Sequence, residues 1–280
     1  MKNKFLIIFP LILLSSLFAK DVSTDSSRYT RVHSNNIELN SKEEAALIYD
    51  KSESISKTLD ESSGDGIEKN YVNFSEYKIC GKTYNKNKVR ITYPQISGLS
   101  DETKLKAINK LLEEEALDIL SGYLQDDPKL KNLTLDINYD VKLKNNKYFS
   151  VAYSGYGNVK GTAHPLSLFY TTNINVENAR GMRLVDYADV MNILKKLKDT
   201  TTVKVVSSEE EVAEAQKNAL VEMNDGELLS ILKDSDFRVE NGKIIIPEKG
   251  GYSYMEENNI VISLPVSHAI GDHAEFLVKK

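Results

Sequence analysis

Four histidines, His33, His164, His268 and His273, are the residues of this chain best suited to proton transfer or metal ligation near neutral pH. His268 and His273 are five apart, and Pro265 and Gly271 interrupt their segment. They therefore do not form the i, i+4 pair with which a helix presents two imidazoles to zinc. If the loops carrying His164, His268 and His273 meet, three imidazoles can share a zinc ion. Hydrogen-bonded or exposed loop histidines explain the same residues without a metal, and no metal or other cofactor is assigned. No serine sits in a G-x-S-x-G elbow, and there is no G-x-x-x-x-G-K-[ST] loop. The acidic runs Glu113–Glu115 and Glu209–Glu211 fall on helical patterns and read as solvated faces. A glycosidase pair is defined by the distance between its carboxylates, which spacing along a chain does not supply.

The segment Tyr153-Ser-Gly-Tyr-Gly-Asn-Val-Lys-Gly-Thr-Ala-His-Pro165 is the most unusual one. Read as a connection between strands, it offers Tyr153, Tyr156, Asn158, Lys160, His164 and Pro165 to a sugar or a protein surface. The alternative is a tight turn whose glycines only satisfy the backbone. Because the glycines lead toward a strand, they lack the helix N-terminus that favours phosphate.

Elements that must position these residues are readable from periodicity. Lys88–Pro94 alternates at period two, with Pro94 expected to end the strand or lie at an edge. Ser100 is a candidate cap for a long helix whose stripe is Leu105, Ile108, Leu112, Ala116, Ile119 and Tyr123. Leu133–Leu143 and Tyr148–Tyr153 flank the turn Lys144–Lys147 and form a hairpin; Ser167–Val176 is a third strand. Val190–Leu197 is a short helix. Ser207 and Ser208 have capping-box spacing to Glu210 and Glu211, ahead of a stripe of Val212, Ala215, Ala219 and Met223. Leu228–Leu232 suggests another short helix. Asn241-Gly242 centres a hairpin over Phe237–Ile246, and Asn259–Leu264 and Ala274–Val278 are strands. Hairpins with helices in blocks imply an α+β fold, a largely antiparallel sheet packed against amphipathic helices.

The first 19 residues have two lysines, an apolar run Phe5–Leu14 and a small residue at Ala19, the order of a secretory signal peptide. The run is too short, at under about 20 residues, to span a bilayer, so no stable membrane span is expected after cleavage. Removing Lys2 and Lys4 takes the formal charge from −5 to −7. Residues 20–70 are rich in Ser, Asp, Asn, Lys and Glu and read as a polar flexible linker, with a possible short helix at Ser41–Ile48. Residues 71–280 form the folded module, either one body or two packed halves, 71–160 and 161–280. An acidic balance of 36 Lys+Arg against 41 Asp+Glu argues against nucleic acid. The single cysteine excludes an internal disulfide; following Ile79 in a strand-like run, Cys80 reads as a buried structural thiol.

The segment Tyr153–Pro165, the strand after it and Arg183-Leu-Val-Asp-Tyr187 together resemble an extracytoplasmic module. It is shared by RsiV-type lysozyme-sensing anti-sigma factors and PdaC-type peptidoglycan deacetylases. Leu264-Pro-Val-Ser-His-Ala-Ile-Gly-Asp-His-Ala-Glu275 is similar to that module's closing pattern, with Ser267-His268-Ala269 where Pro-Tyr-Ala is more usual. The resemblance covers about residues 71–280. It implies an α+β fold at the cell envelope and a role in binding or sensing. The sigma-binding segment and the metal-dependent deacetylase domain of those relatives are missing here. The resulting expectation is an exported, periplasmic or secreted, non-enzymatic protein that binds a lysozyme-like protein or peptidoglycan. Its site is expected at Tyr153, Tyr156, Asn158, Lys160, His164, Pro165, His268 and His273. A hydrolase acting on cell-wall glycan, metal-dependent or carboxylate-based, and a structural envelope protein are the alternatives.

Overall fold

A turn at Asn87, with φ of 57°, folds strand β1 (Lys78–Lys86) back on β2 (Lys88–Ser97). This hairpin opens the computed structural model, which describes residues 77–199 and 201–280. The signal peptide, the linker and the short helix expected before them lie outside the described residues.

Strand β2 runs through Pro94 instead of ending there. Its parallel pairing with β3 (Leu133–Lys144) covers only Lys88–Ile91. Pro94 thus lies where β2 has no ladder on that side and a missing N–H costs nothing. Between β2 and β3 runs helix α1 (Glu102–Asp118), continued by α2 (Leu120–Asp126). The cap is Asp101, not Ser100. Its Oδ1 accepts from the amides of Thr103 and Lys104 at 2.9 and 3.0 Å, and a carboxylate suits the positive helix end. β4 (Tyr148–Val159), β5 (Leu166–Asn175) and β6 (Arg180–Gly181) complete a six-stranded sheet in sequence order, antiparallel except for β2–β3. One face of it, with Ile91, Leu135, Ile137, Val151, Tyr153 and Tyr170, closes over Ile108, Leu112 and Ala116 of α1.

After β6 the chain makes α3 (Leu184–Tyr187) and α4 (Val190–Lys198). The short strand β7 (Lys204–Val205) precedes α5 (Glu210–Glu222) and α6 (Asp225–Asp234). The Asn241-Gly242 hairpin forms as expected between β8 (Arg238–Glu240) and β9 (Lys243–Ile245), both turn residues having positive φ. β10 (Tyr252–Met255), β11 (Asn259–Pro265) and β12 (His273–Lys279) join β7 in a four-stranded sheet of order β10-β11-β12-β7. Its inner residues Ile260, Ile262, Phe276 and Val278 pack on Leu194, Leu197, Leu220 and Leu228 of the helices.

On α5 the expected stripe is rotated by one position. Gln216 and Leu220 are the buried residues, because the Gln216 side chain donates to the carbonyl of Ile270 at 2.8 Å. Apolar periodicity is blind to a buried amide that has a partner. No helix among the described residues is long and apolar enough to cross a membrane. The fold is α+β, dominated by antiparallel pairing, as expected. Cys80, by contrast, is exposed: it lies on edge strand β1, with Sγ 3.7 Å from the Gln95 carbonyl.

Candidate functional site

The segment Tyr153–Val159 is not a loop. It is the second half of β4, and only Lys160–Pro165 connects β4 to β5. Period-two alternation then divides its residues. Tyr153, Gly155 and Gly157 lie on the core-facing side of the strand, while Tyr156 and Asn158 are exposed on the other. Tyr153 is 0 % exposed, stacked on Tyr170 with ring centroids 4.7 Å apart, and so sits out of reach of any ligand. Tyr156 is 68 % exposed. The glycines meet packing demands: a Cβ on Gly155 would lie 1.9 Å from the Asp136 carbonyl, and one on Gly157 would lie 2.9 Å from Leu168 Cδ1.

The two loops singled out in the sequence do meet. His164 stacks on His268 with ring centroids 5.5 Å apart. His268 occupies a 3-10 turn (His268–Ile270) that Gly271 ends at φ of 110°. Its Nδ1 lies 3.0 Å from Asp272 Oδ1, and Asp272 Oδ2 accepts from the Ser167 amide at 2.8 Å. Ser167 is in turn the cross-strand partner of Tyr156. Asp272 thus ties the closing turn to the start of β5, and a continuous line runs from Tyr156 through Ser167 and Asp272 to His268 and His164. Asn158, Lys160 and Pro165 are exposed beside it, with Asn158 Oδ1 accepting from Thr162 Oγ1 at 3.0 Å. Tyr156 is flanked on its other side by Asp136, which pairs with Arg90 at 2.5 Å.

His273 points away from this line. Its ring stacks on Phe169 at 4.7 Å between the two sheets, and burial holds its pKa below the ordinary value. Its Nε2 lies 3.9 Å from Glu275 Oε1, and Glu275 accepts from Tyr254 at 2.9 Å. Among the described residues no group of three or more His, Cys, Asp or Glu side chains is placed to hold one metal ion. Stacked His164 and His268, beside the Asp272 carboxylate, form a polar ledge suited to hydrogen bonding. The structure adds Asp272 to the expected set; its signal was the positive-φ Gly271-Asp272 turn that closes on His268.

A second cluster escaped the sequence reading and lies in the interior. Asp236, 2 % exposed and at φ of 71°, accepts from Thr171 Oγ1 at 3.1 Å, the Ser253 amide at 2.7 Å, the Leu184 amide at 2.8 Å and the Ser253 hydroxyl. Tyr187 shares a hydrogen with Ser253 Oγ at 2.5 Å. Burial nonetheless lifts the Asp236 pKa to about 6 against those donors. On the opposite face of β5, Glu115 is buried rather than solvated and accepts from Thr172 Oγ1 at 2.7 Å. Burial raises it to about 8. Every donor to Asp236 belongs to the backbone or to a buried side chain, so its role is to pin β5, α3 and β10 together.

Residues 81–167 match the model of the family described as deacetylase PdaC. The matched span runs from β1 to the start of β5 and contains Tyr156, Asn158, Lys160 and His164. Two solved structures are similar to the chain. A DUF3298-family member from Bacteroides fragilis has 11% identity and a TM-score of 0.40, covering 73% of this chain and 90% of that one. A DUF3298-family protein from Pseudomonas aeruginosa PAO1 has 14% identity and a TM-score of 0.32, covering 73% of this chain and 89% of its own. No curated protein matches the chain.

Proposed function

We propose that the protein is an exported, non-enzymatic envelope module that binds a lysozyme-like protein or a cell-wall glycan. The binding face is the one carrying Tyr156, Asn158, His164 and His268. One observation carries this reading: the Lys160–Pro165 loop and the His268 turn, about 100 residues apart in sequence, are joined through Asp272 beside an exposed ring. A tyrosine left 68 % exposed on a polar sheet face offers a flat apolar surface with a hydrogen-bonding tip, the chemistry that stacks on sugars and fills protein interfaces. The match of residues 81–167 to the PdaC family supports an extracytoplasmic, periplasmic or secreted setting.

Calorimetric titration against lysozyme and against soluble peptidoglycan fragments tests the proposal. Binding to one of them, weakened at least tenfold by Tyr156→Ala, is the expected result. No binding to either at high micromolar concentration overturns it. The His268–Asp272 contact supports one rival, a hydrolase acting on cell-wall glycan. Glycan turnover that His268→Ala abolishes would establish that rival.

A further inference from the structure

Three connections converge at one end of the six-stranded sheet, and they bring lysines with them. Asn87, at the β1–β2 turn, donates its side-chain amide to the Lys129 carbonyl at 2.6 Å and to that of Leu130 at 3.3 Å. The Lys160 amide donates to the Asn132 carbonyl at 2.8 Å. The hairpin tip with Lys86 and Lys88, the loop with Lys129 and Lys131, and the loop with Lys160 therefore form one rim. None of these five lysines has an ion pair among the described residues. Residues 86–90, 126–136 and 156–165 hold six Lys or Arg against three Asp, in a chain of net −5. Of those acids, Asp136 is engaged by Arg90 and Asp127 accepts from the Asn132 amide.

We propose that this rim is a peripheral docking surface for an anionic phospholipid headgroup layer. Isolated phosphate recognition needs a concave cradle of N–H groups. Two clefts among the described residues lie elsewhere, one bounded by Asp189, Lys195 and Asp225, the other by Arg183, Arg238 and Lys249. What the rim offers instead is separate point charges on flexible stems at loop tips. A charged plane is read by field, not by fit, and such lysines suit it, each adding roughly a fivefold gain near the surface. The net negative charge does not cancel this. The 12 residues of β3 span about 40 Å, and screening acts over about 10 Å near physiological salt, so acids at the far end go unfelt. The proposal does not depend on which partner Tyr156 takes, but the Lys160–Pro165 loop belongs to both surfaces, so the test below leaves Lys160 and His164 unchanged.

Co-sedimentation of the full chain with phosphatidylglycerol-containing and pure phosphatidylcholine vesicles, at about 0.1 M salt, tests this. The rim segments carry a net charge of +3, six Lys or Arg against three Asp, so about fivefold per net charge gives about 100-fold tighter binding to the anionic vesicles, falling as salt rises. Lys2 and Lys4, beside the apolar Phe5–Leu14 run, also favour anionic vesicles, so the rim's share is read as the difference between wild type and the four-site variant below, which both carry them. The variant Lys86→Glu/Lys88→Glu/Lys129→Glu/Lys131→Glu, which leaves Tyr156 and Lys160 in place, should lose that preference while keeping its melting temperature. The same four positions changed to Gln should lose most of it. Lys195→Glu/Lys243→Glu, at exposed sites away from the rim, should keep it. Equal binding to both vesicle types overturns the proposal, and so does loss of preference in the Lys195/Lys243 variant. Tighter binding to a soluble glycerol-phosphate polymer than to vesicles also overturns it, since the partner would then be a chain and not a surface. Lysozyme and glycan titrations on the four-site variant should be unchanged, which separates failure of the rim from failure of the Tyr156 site.

Discussion

Thr172 donates its hydroxyl hydrogen to the Glu115 carboxyl at 2.7 Å, across the boundary between β5 and α1, where both side chains are buried. Burial raises the Glu115 pKa to about 8, so the folded protein holds a proton that the unfolded chain, titrating near 4.5, releases. A raised native pKa means a stabilising share that is complete below about pH 4.5 and is lost as pH rises through about 8. Glu115→Gln keeps the shape and cannot ionise. Between about pH 5 and pH 8.5, wild type should lose on the order of 1–3 kcal/mol more stability than this variant, read from urea unfolding at each pH. Parallel pH profiles would show that Glu115 is not protonated in the fold.

Asp236 should respond to amidation in the opposite way. Four donors converge on its two oxygens, and an Asn side chain would place its own N–H₂ against one pair of them. Asp236→Asn is expected to cost about 2–4 kcal/mol near pH 7.5, where the carboxylate is ionised. Its native pKa of about 6 lies above the ordinary 3.8, so its own titration removes stability as pH climbs through that window. Chemical denaturation of the variant beside Glu115→Gln checks both sign and size.

These two acids show where a sequence stops being informative. The Asn241-Gly242 hairpin, the β3–β4 hairpin and the α1 stripe were legible because each is set by neighbours within a few residues. Glu115 ends a run of three glutamates on a helix, and its burial is decided by β5, whose Thr172 is 57 residues away. Asp236 is one of many loop aspartates until Thr171, Leu184 and Ser253 converge on it. At the candidate site, the residue types of Tyr153–Pro165 suggest a connection between strands, whereas Tyr153–Val159 is paired within β4 and Tyr153 is buried. Alternation settles that only once the segment is known to be paired.

Gly155 and Gly122 should give opposite results when changed to alanine. At Gly155 the new Cβ would meet the Asp136 carbonyl at 1.9 Å and the Ile137 Cα at 2.8 Å, both of them backbone atoms that cannot step aside. Gly155→Ala should destabilise by about 3 kcal/mol or more, or leave the protein insoluble. Gly122 lies within α2, and nothing falls within 4 Å of its added Cβ. Gly122→Ala should gain up to about 1 kcal/mol from helix propensity. Thermal melts of the two variants are the measurement.

Cys80 should behave as a surface thiol. It is exposed on edge strand β1, with a weak contact to the Gln95 carbonyl. A maleimide reagent should label it in the native protein to the same extent as in denaturant. Cys80→Ser should change stability by no more than about 0.5 kcal/mol. Protection that only denaturant removes would mean that another part of the chain covers β1.

Tyr156 and Tyr153, three residues apart on one strand, should separate function from folding. Tyr156→Ala removes an exposed ring and should shift stability by less than about 0.5 kcal/mol, while weakening binding to the responsive partner at least tenfold. Tyr153→Ala empties a fully buried volume stacked on Tyr170 and should cost about 3–5 kcal/mol. His164→Ala tests the other end of the line: its loss should weaken the same partner without unfolding the module, since His164 is exposed and its ring contact is with His268. Urea unfolding and calorimetric titration on the three variants give both readouts. If Tyr156→Ala and His164→Ala bind as wild type does, the partner docks elsewhere, and the join between the two loops through Asp272 serves packing alone.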